Sequence, residues 1–469
     1  MPVLRRPDAH TTIELPPRHA TLAGECDVLV VGGGPAGLGA AVGAARAGRD
    51  VILAERYGFL GGNATAALVM PLMSFHTQRP SREPPSVTGL LPTDQGVGDA
   101  VIAGIVRELI ERLVRARGAI EPSFDTGYVV PFDPEIFKLI ALELLDDAGV
   151  RFLLHAFASG YVRERDAHYV VFETKSGPIA IRARTVVDCT GDGDVAVRAG
   201  APYEIGRESD GLVQPMTLMC RMVDFAHDAF AEYVRAHPDQ WRGVNGLWEL
   251  VRRATEAGEL DLAREDILFF ATPHPHEVSL NCTRITDVLG TNVWDLTYAE
   301  WEGRRQLRQI AAFMRRYVPG FEEAYVAQSG VQVGVRETRR VTGEYRITAD
   351  DLLGARKFED VVARGTYPVD IHNPHGKGTV LKRLPPGEAY DIPLRALLPL
   401  DVEGIIVAGR CISGTHEALS AYRVMPISMA TGQAAGICAA LAADRHVTPH
   451  AVPAALVQEE LKRQGADQG

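Results

Sequence analysis

The sequence predicts an α/β protein of two domains, one built on a parallel sheet with a small β-meander, the other of mixed α+β character. Three observations predict it. Near the N-terminus an apolar run, a glycine turn, a helix of small residues and a second apolar run come in order. Two further apolar runs end in glycine far along the chain, at 184–191 and 404–409, as strands of the same sheet would. Between about 201 and 394 the texture changes to mixed helix and strand and takes in most of the tryptophans. At roughly 150 residues per domain, 469 residues suit two or three domains with a large core.

DVLVV, residues 27–31, is a short β-branched run bounded by glycine, which suits a strand covered on both faces. GGGPAGLGAAVGAARAG reads as a tight turn and a helix packed by small residues, and DVILAE as the next strand, so the unit is βαβ. Residues 76–98 are rich in Pro, Ser, Thr and Gly without a period, the pattern of a lid-like surface loop. Residues 101–117 and 133–147 carry helical spacing, the second opened by Asp133 and Pro134. Residues 150–155 read as another buried strand, 160–181 as an antiparallel meander, and 184–189 as a buried strand running into TGDGD. A charged helix is expected around 300–316, with Arg304, Arg305, Arg315 and Arg316 on a solvated face. A strand at 404–408 and a small-residue helix from Met425 close the pattern. The expected division is a discontinuous first domain of 25–75, 99–205 and 398–445, a second domain of 206–397, and terminal extensions of 1–24 and 446–469.

Composition limits the function. Lys and Arg total 49 against 60 Asp and Glu, a formal charge of −11, which argues against a partner with a nucleic-acid backbone. The six cysteines are scattered with no CxxC pair and no zinc-like spacing. The first 25 residues are polar and Pro-rich with no apolar h-region, so a cytoplasmic location is expected. Residues 424–443 have the length of a membrane span, but their Ala, Gly, Ser and Gln433 suit a buried helix better. Glycine is in excess at 46 residues, so its placement is informative.

Gly32-Gly33-Gly34-Pro35-Ala36-Gly37 is a GxGxxG fingerprint set between strand and helix. Gly32 allows the turn, Gly34 lets backbone approach a pyrophosphate, and Gly37 permits close helix-to-strand packing. The N-terminus of the next helix offers N–H groups and a positive dipole end to the phosphate. Glu55, at the end of the second strand, is placed to accept hydrogen bonds from ribose hydroxyls. A Rossmann-like dinucleotide site is the reading.

The residues after Glu55 select the dinucleotide. Arg56, Gly61, Gly62 and Asn63 continue it in an ExxxxGG pattern that resembles FAD enzymes of the glutathione-reductase type. TVVDCTGDGD, with Thr190, Gly191 and Asp192, resembles the second strand-and-glycine motif of that superfamily. IIVAGRCISGTHEALSAYRVMPISMATGQAAG resembles its C-terminal flavin motif, with Gly409 and Arg410 at the ribityl and phosphate end and Val424 and Met425 at a helix start facing the flavin. Ala158 completes the cofactor set that the resemblance implies. The chain is most similar to a bacterial family of FAD-dependent oxidoreductases related to succinate dehydrogenase and fumarate reductase flavoproteins. LTYAEWEGRRQ, GVRETRRVTGEY, YPVDIHNPHGKG and YDIPLRALLP also resemble its recurrent segments.

The resemblance implies a glutathione-reductase-type FAD domain and an oxidoreductase acting on a small organic substrate by hydride transfer at flavin N5. No second GxGxxG stands between a strand and a helix, so an external electron acceptor or donor is expected. No histidine lies between Glu55 and Asn63, where covalent flavin attachment is expected in the succinate dehydrogenase relatives, so non-covalent FAD is expected. His372 is a candidate base, Arg336 a candidate clamp for a carboxylate or a group against the flavin, and His416 a candidate facing the isoalloxazine. Each has a plain alternative: a hydrogen-bonded loop histidine, an arginine paired with Glu337 or Glu344, and a packing residue. Arg339 and Arg340 read as solvated or ion-paired, His76 as a loop residue near the site, and His274 with His276 as a surface loop rather than a metal pair. A flavin monooxygenase is the second enzymatic reading, weakened by GR rather than GD at 409–410. A structural FAD or an RNA-modifying role is the reading from another class. The sequence leaves substrate and oligomeric state open.

Overall fold

The computed structural model describes residues 3, 4, 6, 7, 12–78, 88–91, 98–374 and 378–466. Its organising element is a seven-stranded sheet. β1 (Thr21–Val31) leads through α1 (Pro35–Arg46) to β2 (Val51–Ala54), the expected βαβ unit, with β1 and β2 parallel. α2 (Ile105–Arg115) and α3 (Pro134–Asp147) come next, and Asp133 caps α3 by accepting from the N–H groups of Glu135 and Ile136. β3 (Arg151–Leu153) then adds to β2, and β4 (Phe157–Glu164), β5 (Ala167–Thr174) and β6 (Gly177–Asp188) form the meander. The strand order is β3-β2-β1-β6-β5-β4, and the strand Ile405–Val407 pairs in parallel with the end of β6. The result is a mixed α/β fold with a parallel-strand centre.

β6 is the hinge of this topology. Its first half pairs antiparallel with β5, from Gly177 to Ala183, and its last residues, Val186 to Asp188, pair with Ile405–Val407. Its other edge pairs in parallel with β1, from Ile179 to Asp188. The sequence divides this one strand in two, at 160–181 and 184–189, because burial changes along it: the first half lies over the meander and the second is covered on both faces. β1 likewise begins earlier than expected, with Thr21 opposite Ile179, because its first residues are exposed and carry no apolar signal. β3 is an edge strand with Phe152 40% exposed, not the buried strand expected at 150–155, since it pairs with β2 alone.

A second, antiparallel sheet of six strands orders Tyr325–Ser329, Cys220–Val223, Glu277–Leu280, Ile267–Ala271, Asn245–Gly246 and Trp241–Arg242. Its core holds Phe225, Phe230, Trp241, Phe269 and Phe321, ring against ring, and is separate from the core of the first sheet. The helix Val293–Tyr317 covers it with Ile310, Phe313 and Met314. Arg304 and Arg305 on that helix pair with Glu300 and Glu302, as its charge pattern suggests. The larger core reaches past the expected limits of the first domain. Val341, Leu352, Val362, Tyr390 and Ile392 belong to it, as do Val457 and Leu461 of the C-terminal segment. Of the lid-like loop expected at 76–98, residues 79–87 and 92–97 lie outside the described residues; His76 bridges to Ala100 and stacks on Tyr128.

The helix Met425–Arg445 is long and apolar enough to cross a membrane by length and composition, and 94% of its most apolar window is buried inside the protein. It is buried because it lies directly on α1. A Cβ on Gly432 would stand 2.0 Å from the Ala36 carbonyl oxygen, one on Gly436 2.0 Å from that of Ala40, and one on Gly39 2.2 Å from that of Met429. Backbone therefore packs on backbone, and part of the glycine excess serves this crossing. Gly436→Ala must push the helices apart or strain them, an overpacking cost of about 1–3 kcal/mol. Chemical denaturation should show the midpoint falling accordingly, and an unchanged midpoint would mean that the helices have slack.

Candidate active site

β1, β6 and Ile405–Val407 are parallel neighbours, so their carboxyl ends reach the same edge of the sheet. The turns that leave them, at Gly32 and Gly34, at Cys189–Asp192 and at Ala408–Arg410, line one cavity of about 1230 Å³, its open mouth included. The turns touch: Gly32 has φ +100°, and a Cβ there would lie 2.5 Å from the Cys189 carbonyl oxygen. Gly37 is packing rather than lining, since its Cβ would overlap the Gly32 carbonyl oxygen at 1.8 Å. α1 and the helix Met425–Arg445 both begin at this cavity, and neither has a side-chain N-cap. Their first N–H groups and positive dipole ends are left for an anionic or polar ligand.

At one end stands Glu55. Its Oε2 accepts from the Gly33 N–H at 2.6 Å and its Oε1 from the Tyr57 N–H at 2.9 Å. Burial pushes its carboxyl pKa upward, yet each oxygen keeps a further lone pair for a hydroxyl. Arg56 donates to Gln332 Oε1 at 3.0 Å and lies over the Tyr57 ring, and Ala158 forms the adjoining wall. Gly62 and Asn63 line the cavity beside Gly34, while Gly61, at φ +113°, holds the turn by donating to the Gly33 carbonyl at 2.8 Å.

The middle of the cavity is a charge-balanced scaffold. Asp188, fully buried, accepts from the Thr190 hydroxyl at 2.7 Å and from the N–H groups of Val195 and Ala196 at 2.8 and 2.9 Å. Arg410 donates to Gly191 O at 2.9 Å and to Asp192 Oδ1 at 2.6 Å, and also to Val335 O. Its charge is therefore matched by Asp192, and it ties separate segments together. Thr338 and Arg339 also bind Asp192, and Arg339 pairs with Asp194.

The far end is lined by Gly290, Leu296, Val335, Arg336, Arg423, Met425 and Ser428. Val424 is the N-cap of the helix and sits just behind this wall. Arg336 does not pair with Glu337 or Glu344; it donates to Pro215 O at 2.7 Å and to Thr217 Oγ1. Glu337 is taken instead by Arg340, buried beside it, and by the Gln214 N–H at 2.9 Å. Burial, with Arg423 and Arg284 nearby, pulls the Arg336 guanidinium down to about 9, so it remains charged at neutral pH. Arg423 escapes the sequence reading. Its signal is a lone cation in the apolar run that opens a buried helix.

The histidines fall elsewhere. His372 does not line the cavity: its Nδ1 lies 3.2 Å from Arg284 Nη2 and its Nε2 3.5 Å from Asp370 Oδ2. With both ring nitrogens engaged, and its pKa lowered to about 4 by burial and by Arg336, it is neutral and has no free lone pair to act as a base. His416 is also away from the cavity, buried with its Nδ1 2.8 Å from Glu337 Oε2. His76 is stacked on Tyr128, and burial lowers its pKa to about 4. His274 meets the Asp133 carboxylate and His276 the Phe225 carbonyl, and among the described residues no group of three or more His, Cys, Asp or Glu could hold a metal ion.

The family described as FAD dependent oxidoreductase matches residues 27–461 of the chain. No curated protein matches the sequence. Among solved structures, CabE, an aromatic hydroxylase from angucycline biosynthesis, is 13% identical at a TM-score of 0.43, over 94% of this chain and 66% of its own. A geranylgeranyl bacteriochlorophyll reductase-like protein from Thermoplasma acidophilum is 14% identical at a TM-score of 0.44, over 94% and 83%. The flavin-dependent monooxygenase PieE, solved with FAD and substrate, is 12% identical at a TM-score of 0.39, over 69% and 52%. The chain thus spans just under two thirds of the hydroxylase and about half of the monooxygenase. Similarity this low says nothing of substrate or reaction.

Glu55→Gln replaces one of two accepting oxygens by a donor, so either Gly33 or Tyr57 loses its acceptor, and ribose hydroxyls lose a charged one. Cofactor affinity should fall about 10- to 100-fold, a loss of about 1.5–3 kcal/mol, read by titrating FAD into stripped protein. The histidines predict a pH effect. The imidazoles of His76 and His372 protonate near 6.5 when unfolded and near 4 in the fold, so between these values the unfolded state binds more protons. Stability should therefore fall as pH is lowered from 6.5 to 4, by at most about 1.4 kcal/mol per pH unit for each histidine. Urea midpoints at pH 7, 6 and 5 test this, and His76→Phe should flatten the slope.

Proposed function

Because the chain belongs to the FAD dependent oxidoreductase family, we propose that it oxidises or reduces a small organic substrate and exchanges the electrons with a separate acceptor or donor. The observation that carries this is one continuous cavity running from Glu55 past two uncapped helix starts to Arg336 and Arg423. The donor set fits FAD along that length. Glu55 would hold the ribose, and the first turn of α1, with Gly32 and Gly34, would receive the pyrophosphate. The first turn of the helix Met425–Arg445 would offer its positive end to the flavin. When bound, FAD supplies a two-electron centre that takes or gives a hydride at N5.

The chain's own groups do the rest. Leu296, Val335 and Met425 exclude water from the far end, and Arg336 and Arg423 orient the substrate there. His372 acts from behind the wall as a positioning residue, since Arg284 and Asp370 occupy its nitrogens. We assign the cofactor as non-covalent, on the lack of a histidine between Glu55 and Asn63. The finer kinship, to glutathione-reductase-type folds and to succinate dehydrogenase and fumarate reductase flavoproteins, rests on the ExxxxGG, TGDGD and GR segments. The second sheet and its aromatic core are proposed as a substrate domain.

Purified protein should be yellow and release FAD on acid precipitation; flavin remaining in the pellet would refute the non-covalent assignment. Under anaerobic conditions a true donor should bleach the flavin with no NAD(P)H present. A strict requirement for both NAD(P)H and oxygen would instead make the protein a hydroxylase.

A further inference from the structure

Arg336 and Arg423 stand in the cavity wall, and among the described residues no carboxylate is in contact with either guanidinium. Among the described residues Arg336 donates to two neutral acceptors, Pro215 O and Thr217 Oγ1. Arg423 reaches Gln214 Oε1 at 3.4 Å, and its Nε, shielded from solvent, has no hydrogen-bond partner among the described residues. Neither makes an ion pair among the described residues, whereas Arg410, Arg339 and Arg340 in neighbouring segments all do. Arg284 adds a third guanidinium on the same side, against His372 Nδ1 and the Gly378 carbonyl.

Asp370 is the nearby acid and its charge is felt by both arginines, but its carboxylate hydrogen-bonds neighbours other than these two guanidinium groups. It accepts from the Tyr367 hydroxyl at 3.0 Å and meets His372 Nε2 at 3.5 Å. The helix Met425–Arg445 starts two residues beyond Arg423 with no side-chain cap, so its positive end adds to the same field. A partly buried cation without a counter-charge is costly, and a guanidinium presents a planar fork that matches an oxyanion in two bonds.

We infer that the substrate is a small organic acid whose carboxylate is held between Arg336 and Arg423 at the far end of the cavity. This rests on the proposed FAD site, because the carboxylate anchors the rest of the molecule beside the flavin. An acid bound there completes the charge balance that the scaffold residues already have.

The test uses the FAD-bound protein. Sodium acetate and sodium malonate are titrated while the flavin absorbance spectrum is monitored, with acetamide and malonamide as uncharged counterparts. The carboxylates should give a saturable spectral shift, and the amides should need at least about 10- to 100-fold higher concentration. Arg336→Gln and Arg423→Gln should each weaken carboxylate binding about 10- to 100-fold, with Lys at either position restoring part of it. Equal responses to acid and amide, or none to either, would overturn the inference while leaving the FAD reading intact. Failure to bind FAD at all would overturn the FAD reading instead. If a Gln variant fails to retain FAD, the acid-versus-amide comparison in the unaltered protein decides. Inorganic phosphate should leave the malonate titration unmoved, and competition at equal or lower concentration would replace the carboxylate by a phosphate group.

Discussion

The backbone contact between α1 and the helix Met425–Arg445 sets the geometry on which the rest of the structure depends. Gly39, Gly432 and Gly436 let the two helices meet with no side chain between them. Both helices start at the carboxyl edge of the parallel strands, so their close crossing brings two positive ends to one cavity. Gly432 lies against the Ala36 carbonyl, within the first turn of α1, so the register between the helices is fixed next to the site. Gly409 continues the contact: its N–H donates to Thr431 of the long helix at 3.2 Å, which seats the last cavity turn on the same support.

Charge is handled differently in the scaffold and at the far end. Asp188, buried at the end of β6, is satisfied by two helix N–H groups and a hydroxyl, although burial, with the Asp194 charge, raises its pKa. Arg410 with Asp192 and Arg340 with Glu337 are matched pairs that lace separate segments together. Removing either partner of such a pair leaves a charge buried alone, so these residues are structural even where they border the cavity. Arg336 and Arg423 break the pattern, which is why they read as ligand-binding groups.

Much of the first sheet and its site was legible, because both rest on local signals. The strand, turn and helix of 27–46 announce themselves by apolar runs and glycine, and Glu55, Gly191 and Arg410 stand at fixed offsets from such runs. The parts that were not legible depend on distant partners. His372 reads as a base until Arg284, 88 residues away, takes its second nitrogen. Glu337 reads as the mate of its neighbour Arg336, but the side chain turns to Arg340, three residues on. The extension of the larger core through Val362 and Ile392 is likewise a matter of tertiary packing, with no marker in local composition.

The role left to His372 comes from those partners. An imidazole that accepts from Arg284 and faces Asp370 through Nε2 must carry its proton on Nε2, and there it holds the Asp370 carboxylate in place. Tyr367 holds the same oxygen from the other side. Without these two contacts Asp370 would be free to turn toward the arginines; as it stands, His372, then Arg423 and the Tyr367 hydroxyl, outweigh burial and hold its pKa well below the usual carboxylate range. An internal ion pair would then fill the position that a substrate anion needs. His372 thus contributes by keeping an acid away from Arg336 and Arg423.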